Sequence, residues 1–168
     1  MKESTVFHTE IERLYQQYGS ALVLFAASMV GDRGRAQDAV HQVFLKLLMG
    51  TDRQDVIDMK AYLFRSVRNA VLNELKSQQA SVPLDNESMW FDPPQRDHVA
   101  ESHLRHGLLG LPIEQRETVV LHVWGELTFS QIAEISDVSL NTIASRYRYA
   151  ISRLRESLRV QEDSRVGF

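Results

Sequence analysis

Apolar residues return every three or four positions along most of this chain, the spacing that lines one face of an α-helix. From Thr5 to Met29 the stripe is Phe7, Ile11, Leu14, Tyr15, Tyr18, Leu22, Phe25 and Met29, which predicts a helix with a break near Gly19. Gly31-Asp32-Arg33-Gly34 predicts a turn. The next helix is expected from Ala36 to Met49, with Ala39, Val40, Val43, Phe44, Leu47 and Leu48 on one face and Gly50 closing it. The polar residues through Asp58 predict a loop. A third amphipathic helix runs from Lys60 to Lys76, burying Leu63, Phe64, Val67, Val71, Leu72 and Leu75, with Arg65, Arg68, Asn69, Asn73 and Lys76 outside. Three helices with one apolar stripe each suffice for a small bundle.

The pattern then lapses. Ser77 to His98 is polar and proline-bearing, with Leu84, Met89, Trp90 and Phe91 as its apolar residues, and it predicts a linker between two domains. Met89-Trp90-Phe91 is expected to anchor that linker on a neighbouring surface. Helix resumes from Val99 to Leu109, and Gly110-Leu111-Pro112 stops it and starts another, from Ile113 to Trp124, presenting Val119, Val120, Val123 and Trp124.

The most informative stretch follows, from Thr128 to Leu158. Thr128 and Gln131 form a T-x-x-Q capping box. Ile132, Ala133 and Ile135 give a short helix an apolar face, Ser136-Asp137 breaks it, and Val138 plugs the turn. Ser139 can cap a longer helix whose apolar side is Ile143, Tyr147, Ile151, Leu154 and Leu158. Two helices joined by a tight turn, the second polar and basic outside, have the form of a DNA-binding helix-turn-helix. Leu140, Asn141, Thr142, Ser145 and Arg148 stand in its first turns, where side chains reach base edges or phosphates. Arg146, Arg148, Arg153, Arg155 and Arg159 face one local acid, Glu156. Gln161 to Phe168 lack periodicity and are expected to fray.

Composition narrows the chemistry. The net charge of -3 places any nucleic-acid contact in local patches, not in the chain as a whole. No cysteine is present, which excludes disulfides and thiolate metal sites and fits a reducing cytoplasm. No apolar run is long enough to span a membrane, so no membrane insertion is expected. His103 and His106, with His98 nearby, would need carboxylates such as Asp97 or Glu101 to hold a metal, and histidines beside a linker are commonplace. No phosphate-cradling glycine loop and no Ser, His and Asp arrangement stands out. Neither catalytic residues, a metal nor a cofactor is therefore expected.

The order of these parts resembles the bacterial extracytoplasmic-function (ECF) sigma factors, the small specificity subunits of RNA polymerase. The resemblance is most specific in LPIEQRETVVLHVWGELTFSQIAEISDVSLNTIASRYRYAISRLRESL, with its Leu-Pro, Arg-Glu, Gly before the scaffold helix, Ile-Ala-Glu, Val-Ser, Thr-Ile, Ser-Arg and final Arg-Leu. AQDAVHQVFLKLL resembles the family's core-polymerase-binding region and AYLFRSVRNAVLNELK its minus-ten helix.

The resemblance implies an all-α fold of two small helical domains joined by a flexible linker: 1–78 resembling sigma region 2, 79–98 the linker, 99–160 a region 4-like helix-turn-helix, and 161–168 a tail. It assigns core-polymerase binding to Asp38, His41, Gln42, Phe44, Leu45 and Leu48. Lys60, Tyr62, Arg65, Arg68, Asn69, Asn73 and Lys76 would hold the separated minus-ten strand, and Ser139, Leu140, Asn141, Thr142, Ser145, Arg146, Arg148 and Arg153 the minus-35 duplex. The implied partners are core RNA polymerase, promoter DNA and an anti-sigma factor. Arg35, Gln37 and Gln42 stand at positions often acidic in the family, and the third helix ends without an arginine cluster. A shallower salt dependence of DNA binding is expected from that end.

Other readings of the same residues are a helix-turn-helix regulator that binds duplex DNA alone as a dimer, and an adaptor that binds polymerase without reading DNA. The regulator would need a sensor pocket or a phosphoacceptor cluster, where the N-terminal half offers a basic-faced helix.

Overall fold

The structure, a computed structural model, describes residues 2–50, 56–78 and 98–166. The helices are α1 (Lys2–Val30), α2 (Arg33–Leu48), α3 (Met59–Gln78), α4 (His98–Leu109), α5 (Ile113–Val123), α6 (Phe129–Ser136) and α7 (Leu140–Val166). The chain divides into two units, Met1–Trp90 and Phe91–Phe168, each with its own apolar interior. Residues 51–55 of the expected Gly50–Asp58 loop lie outside the described residues. So do residues 79–97 of the expected linker, with Met89, Trp90 and Phe91.

In the first unit α1, α2 and α3 pack against one another. Leu22, Phe25, Ala26 and Ala27 of α1 meet Ala36 and Val40 of α2 and Leu63, Phe64, Val67 and Val71 of α3 in a buried core. The Phe25 and Phe64 rings lie 6.0 Å apart, edge to face. The break expected at Gly19 is absent, and α1 runs unbroken through it. A helical glycine costs about 1 kcal/mol, whereas burying Leu22 and Phe25 stabilises the helix by about 1.5–3 kcal/mol each, so packing prevails.

The expected turn at Gly31–Gly34 is shorter than its glycines imply. Gly31 takes a left-handed φ of 75°, and Asp32 already caps α2, its Oδ1 accepting from the Arg35 N–H at 2.8 Å. Gly50, at φ 72°, follows the end of α2 as expected. Asp58 opens α3 in the same manner as Asp32, with Oδ1 accepting from Ala61 N at 3.0 Å. The buried stripe of α3 ends at Val71, and Leu72 and Leu75, expected in the core, stay half-buried.

In the second unit α7 packs against α4, α5 and α6. Its core includes Leu108, Leu111, Val119, Val120, Leu121, Leu127, Ile132, Ile143, Ala150 and Leu154. Val123, expected on the apolar face of α5, is 47% exposed, and Trp124 is half-buried. The buried positions of α5 run instead from Glu117 to Leu121. Arg116 ties α5 to the helix before it: its guanidinium donates to the carbonyl oxygens of Leu108 at 2.9 Å, Leu109 at 3.0 Å and Leu111 at 3.1 Å. Burial pushes the Arg116 pKa down, but an arginine remains charged at neutral pH. The tail expected to fray from Gln161 is helical to Val166. No glycine or proline falls between Leu140 and Gly167, so helix propagates without an apolar stripe to direct it.

Candidate nucleic-acid interface

Local chemistry fixes the angle between α6 and α7. The Thr128 hydroxyl accepts from Gln131 N at 3.2 Å while Gln131 Oε1 accepts from Thr128 N at 2.9 Å, the reciprocal box expected from the sequence. At the other end Asp137 takes φ 54°, ψ 47°, and Val138 N donates to Ala133 O at 3.1 Å across the turn. That pairing closes the helix as a Schellman motif does, with Asp137 in the place where glycine is cheapest. Asp137→Gly is expected to stabilise the second unit by about 1 kcal/mol, because glycine takes a left-handed φ without steric cost. Thermal melting should move upward by about 4–8 °C. An unchanged or lowered midpoint would show that the Asp137 side chain offsets its backbone strain.

Ser139 then caps α7, its Oγ accepting from Thr142 N at 3.1 Å and lying 2.9 Å from Thr142 Oγ1. Ile143, Ala150 and Leu154 turn into the core. Helical spacing therefore sends Asn141, Ser145 and Arg148 to the opposite face, with Ser152, Arg155 and Arg159 continuing it toward the C-terminus. Leu140 stands 52% exposed at the tip. Arg146, between Ile143 and Ala150 on the helical net, is half-buried beside the core stripe and does not share that outer face. Arg153 is exposed on the flank beyond Tyr149, about 20 Å along the helix from Leu140 at 1.5 Å per residue.

Two features escaped the sequence reading. His122 of α5, Phe129 of α6 and Tyr147 of α7 form one aromatic cluster, with ring centroids 4.7, 5.0 and 5.2 Å apart. The His122 Nδ1–H donates to the Leu127 carbonyl at 2.8 Å, which sets the ring against both partners. One aromatic on each of three helices was the available signal. Tyr149 is exposed on α7, with the Arg148 guanidinium 5.4 Å from its ring centroid.

In the first unit the outer face of α3 gathers Tyr62, Arg65, Asn69, Asn73 and Lys76 at helical spacing, with Arg68 on its flank. Lys60 is separate: it lies in line with Leu63, Phe64 and Val67, half-buried at the start of the helix. On α2, Asp38, His41, Gln42 and Leu45 share an exposed face and Leu48 is half-buried. Phe44 is 5% exposed, a core residue packed edge to face on Tyr15 at 5.1 Å. Arg35 turns inward, its Nε donating to Glu74 Oε1 at 2.6 Å, and so ties α2 to α3.

Among the described residues no group of three or more His, Asp and Glu side chains is placed to hold a metal ion. Among them, too, no helix is long and apolar enough to cross a membrane.

Comparison with known proteins agrees with both units. The model of sigma-70 region 2 matches residues 14–81 and that of sigma-70 region 4 matches residues 107–156. The chain is 22% identical to the ECF RNA polymerase sigma factor SigM of Bacillus subtilis over 155 residues, 89% of this chain and 93% of that one. It is 29% identical to the ECF sigma factor EcfG of Rhodopseudomonas palustris over 145 residues, 83% and 80% of the two chains. Its fold is similar to that of the sigma factor RpoE of Bartonella quintana, solved with the anti-sigma factor NepR: TM-score 0.77, 25% identity, 90% of this chain and 98% of that one. CnrH, solved with the cytosolic domain of CnrY, shares the fold at a TM-score of 0.69 and 18% identity, over 95% and 94% of the chains. With region 2 in the α1–α3 unit, region 4 in the α4–α7 unit and relatives that share this plan along most of their length, the chain belongs to the ECF sigma factors, which direct RNA polymerase to promoters.

Proposed function

We propose that the two units grip one promoter at two points while α2 holds core RNA polymerase, with the working parts divided as 1–78, linker 79–98 and 99–160. In the second unit the first turns of α7 enter the major groove of the minus-35 element. Asn141, Ser145 and Arg148 meet base edges, and Ser139, Leu140 and Thr142 approach at the capped tip. Arg146 and Arg153 serve the phosphates from the flanks. The observation that carries this reading is the outer face of α7: polar and basic side chains on the tip of a helix whose position is fixed by the Asp137 turn.

In the first unit the face of Tyr62, Arg65, Asn69, Asn73 and Lys76, with Arg68 beside it and Lys60 at the helix start, holds the separated minus-ten strand. Aromatic and basic side chains interleaved along one face suit unstacked bases and their phosphates. Asp38, His41, Gln42, Leu45 and Leu48 form the polymerase-facing side of α2 over the buried Phe44. Two weak DNA contacts joined through one chain act together because the first raises the effective concentration of the second. An anti-sigma factor is a partner in this reading, supported by the RpoE relative solved with one. The site of action is the cytoplasm, where the polymerase works.

Arg148→Ala tests the assignment. In transcription with core polymerase and a library of promoters, the variant is expected to lose discrimination at one or two minus-35 positions by about tenfold to a hundredfold, the worth of a good base contact. Unchanged selectivity with intact melting of the second unit would remove Arg148 from the reading set. Duplex binding without core, or core binding without initiation, would instead favour the free-standing regulator or the adaptor.

A further inference from the structure

We propose that Arg35 and Glu74 are positioning residues for strand capture. Their ion pair fastens the last two turns of α3 to α2 and so keeps Asn73 and Lys76 in line with the rest of the strand-holding face. The inference rests on the minus-ten reading above and gives a role there to two residues that touch no DNA themselves.

The face assigned to the minus-ten strand runs along α3 from Tyr62 to Lys76, about 21 Å at 1.5 Å per residue. Its first part is backed by the buried stripe of Leu63, Phe64, Val67 and Val71. From residue 72 to residue 78 every side chain is half-buried or exposed, and Asn73 and Lys76 stand in that part. Helical turns with few buried apolar contacts open at low free energy, so these turns need another hold.

The pair stands where the stripes stop. Glu74 follows Val67 by seven residues and Val71 by three, so a carboxylate takes the next place on the core side of α3. Arg35 precedes the buried Ala39 by four residues and takes the matching place at the start of α2. The Arg35 Nε donates to Glu74 Oε1 at 2.6 Å, with the two side chains 24% and 30% exposed. A short charge-assisted bond withdrawn this far from water is stronger than a neutral one and is screened less than a surface pair.

Neither charge suits its own helix. Arg35 lies in the first turn of α2, at the positive end of the dipole, and Glu74 lies near the negative end of α3. Their pairing across the two helices offsets both conflicts. By contrast, the Ser77 hydroxyl donates to the Glu74 carbonyl at 2.8 Å, a bond within α3 that adds no tie to α2.

The test uses holoenzyme assembled from core polymerase and the full-length protein. Its probe is a labelled single-stranded oligonucleotide spanning the minus-ten element of a promoter on which the wild type initiates, the tighter-binding of the two strands. Arg35→Ala and Glu74→Ala are each expected to weaken strand binding about threefold to tenfold, with core affinity held within about twofold. Amide exchange should quicken in residues 72–78 and not from Leu63 to Val71. Arg35→Glu combined with Glu74→Arg restores the pair with both charges suited to their helix ends, and strand binding is expected to return to within about twofold of wild type. Wild-type strand binding by either alanine variant would overturn the proposal. So would tighter binding by Glu74→Ala, which would show a carboxylate that only repels phosphates, or an equal loss of core affinity, which would show general loosening of the unit. If an alanine variant fails to fold, the exchanged pair decides: a folded double variant that does not recover strand binding overturns the proposal. Arg65→Ala, on the same face over the buried stripe, separates the two readings. Strand binding that survives it overturns the minus-ten assignment; binding lost there and intact in both pair variants overturns the role of the pair alone.

Discussion

Gly125→Ala is expected to destabilise the second unit by about 2–3 kcal/mol, lowering its melting midpoint by about 10–20 °C. An ideal Cβ at Gly125 would lie 2.5 Å from the carbonyl oxygen of Leu121 and 3.2 Å from its Cα and carbonyl carbon. Those are backbone atoms of α5, and Leu121 is itself fully buried, so no flexible side chain can swing aside. Gly125 N donates to Val120 O at 3.1 Å and Leu127 N to Leu121 O at 3.2 Å, so the same few ångströms also close the end of α5. Relief would have to come from moving this corner, and with it the Thr128 cap and the start of α6. Promoter binding should fall along with stability. An alanine variant that melts with the wild type would mean that the corner shifts freely, and α6 would not be anchored as described.

Arg116→Ala is expected to be at least as damaging, at about 2–4 kcal/mol. The last carbonyls of a helix have no partners within it, and here one guanidinium serves those of Leu108 and Leu109 together with that of Leu111 in the turn that follows. Its positive charge also suits the negative end of the α4 dipole. Alanine would leave these oxygens without that donor, the Leu108 one beside a fully buried side chain. Chemical denaturation measures the loss, and faster amide exchange in the last turn of α4 would locate it. Arg116→Lys should recover only part of the stability, because a single ammonium cannot reproduce a planar fork reaching three acceptors. Full recovery by lysine would assign the effect to charge alone.

These two residues show where sequence periodicity stops informing. Both lie in the stretch that carried the family resemblance, yet nothing in their spacing says what they do. Gly125 is legible as a helix end, but its reason is a close approach to a carbonyl four residues back, known only once the turn has formed. Arg116 resembles a solvent-facing charge until Leu108 through Leu111 are brought beside it. Features set within four residues were legible: the Thr128–Gln131 box, the Asp137 turn and the Ser139 cap each stood in the sequence with their partners adjacent. Helix existence was legible too, because apolar period depends on the chain alone.

Helix ends and exposure were less so. The break at Gly19 failed because packing on α2 and α3 outweighs one glycine. The burial of Phe44 was legible from its place on the apolar face, but the partners of Phe44 and Arg35 were not, since each is engaged by a residue distant in sequence, Tyr15 and Glu74. In the candidate sites, period alone correctly separated Asn141, Ser145 and Arg148 from the core. It could also have set Arg146 and Lys60 apart, since both fall beside buried stripes on the helical net.

The continuity of α7 has a mechanical consequence. From Leu140 to Val166 it is a single rod of about 40 Å at 1.5 Å per residue, with neither glycine nor proline to act as a joint. Tilting such a rod by 5° about one end carries the other through about 3.5 Å, more than the length of a hydrogen bond. Whatever takes hold of the Arg155–Arg159 stretch therefore works as a lever on the tip that carries Asn141.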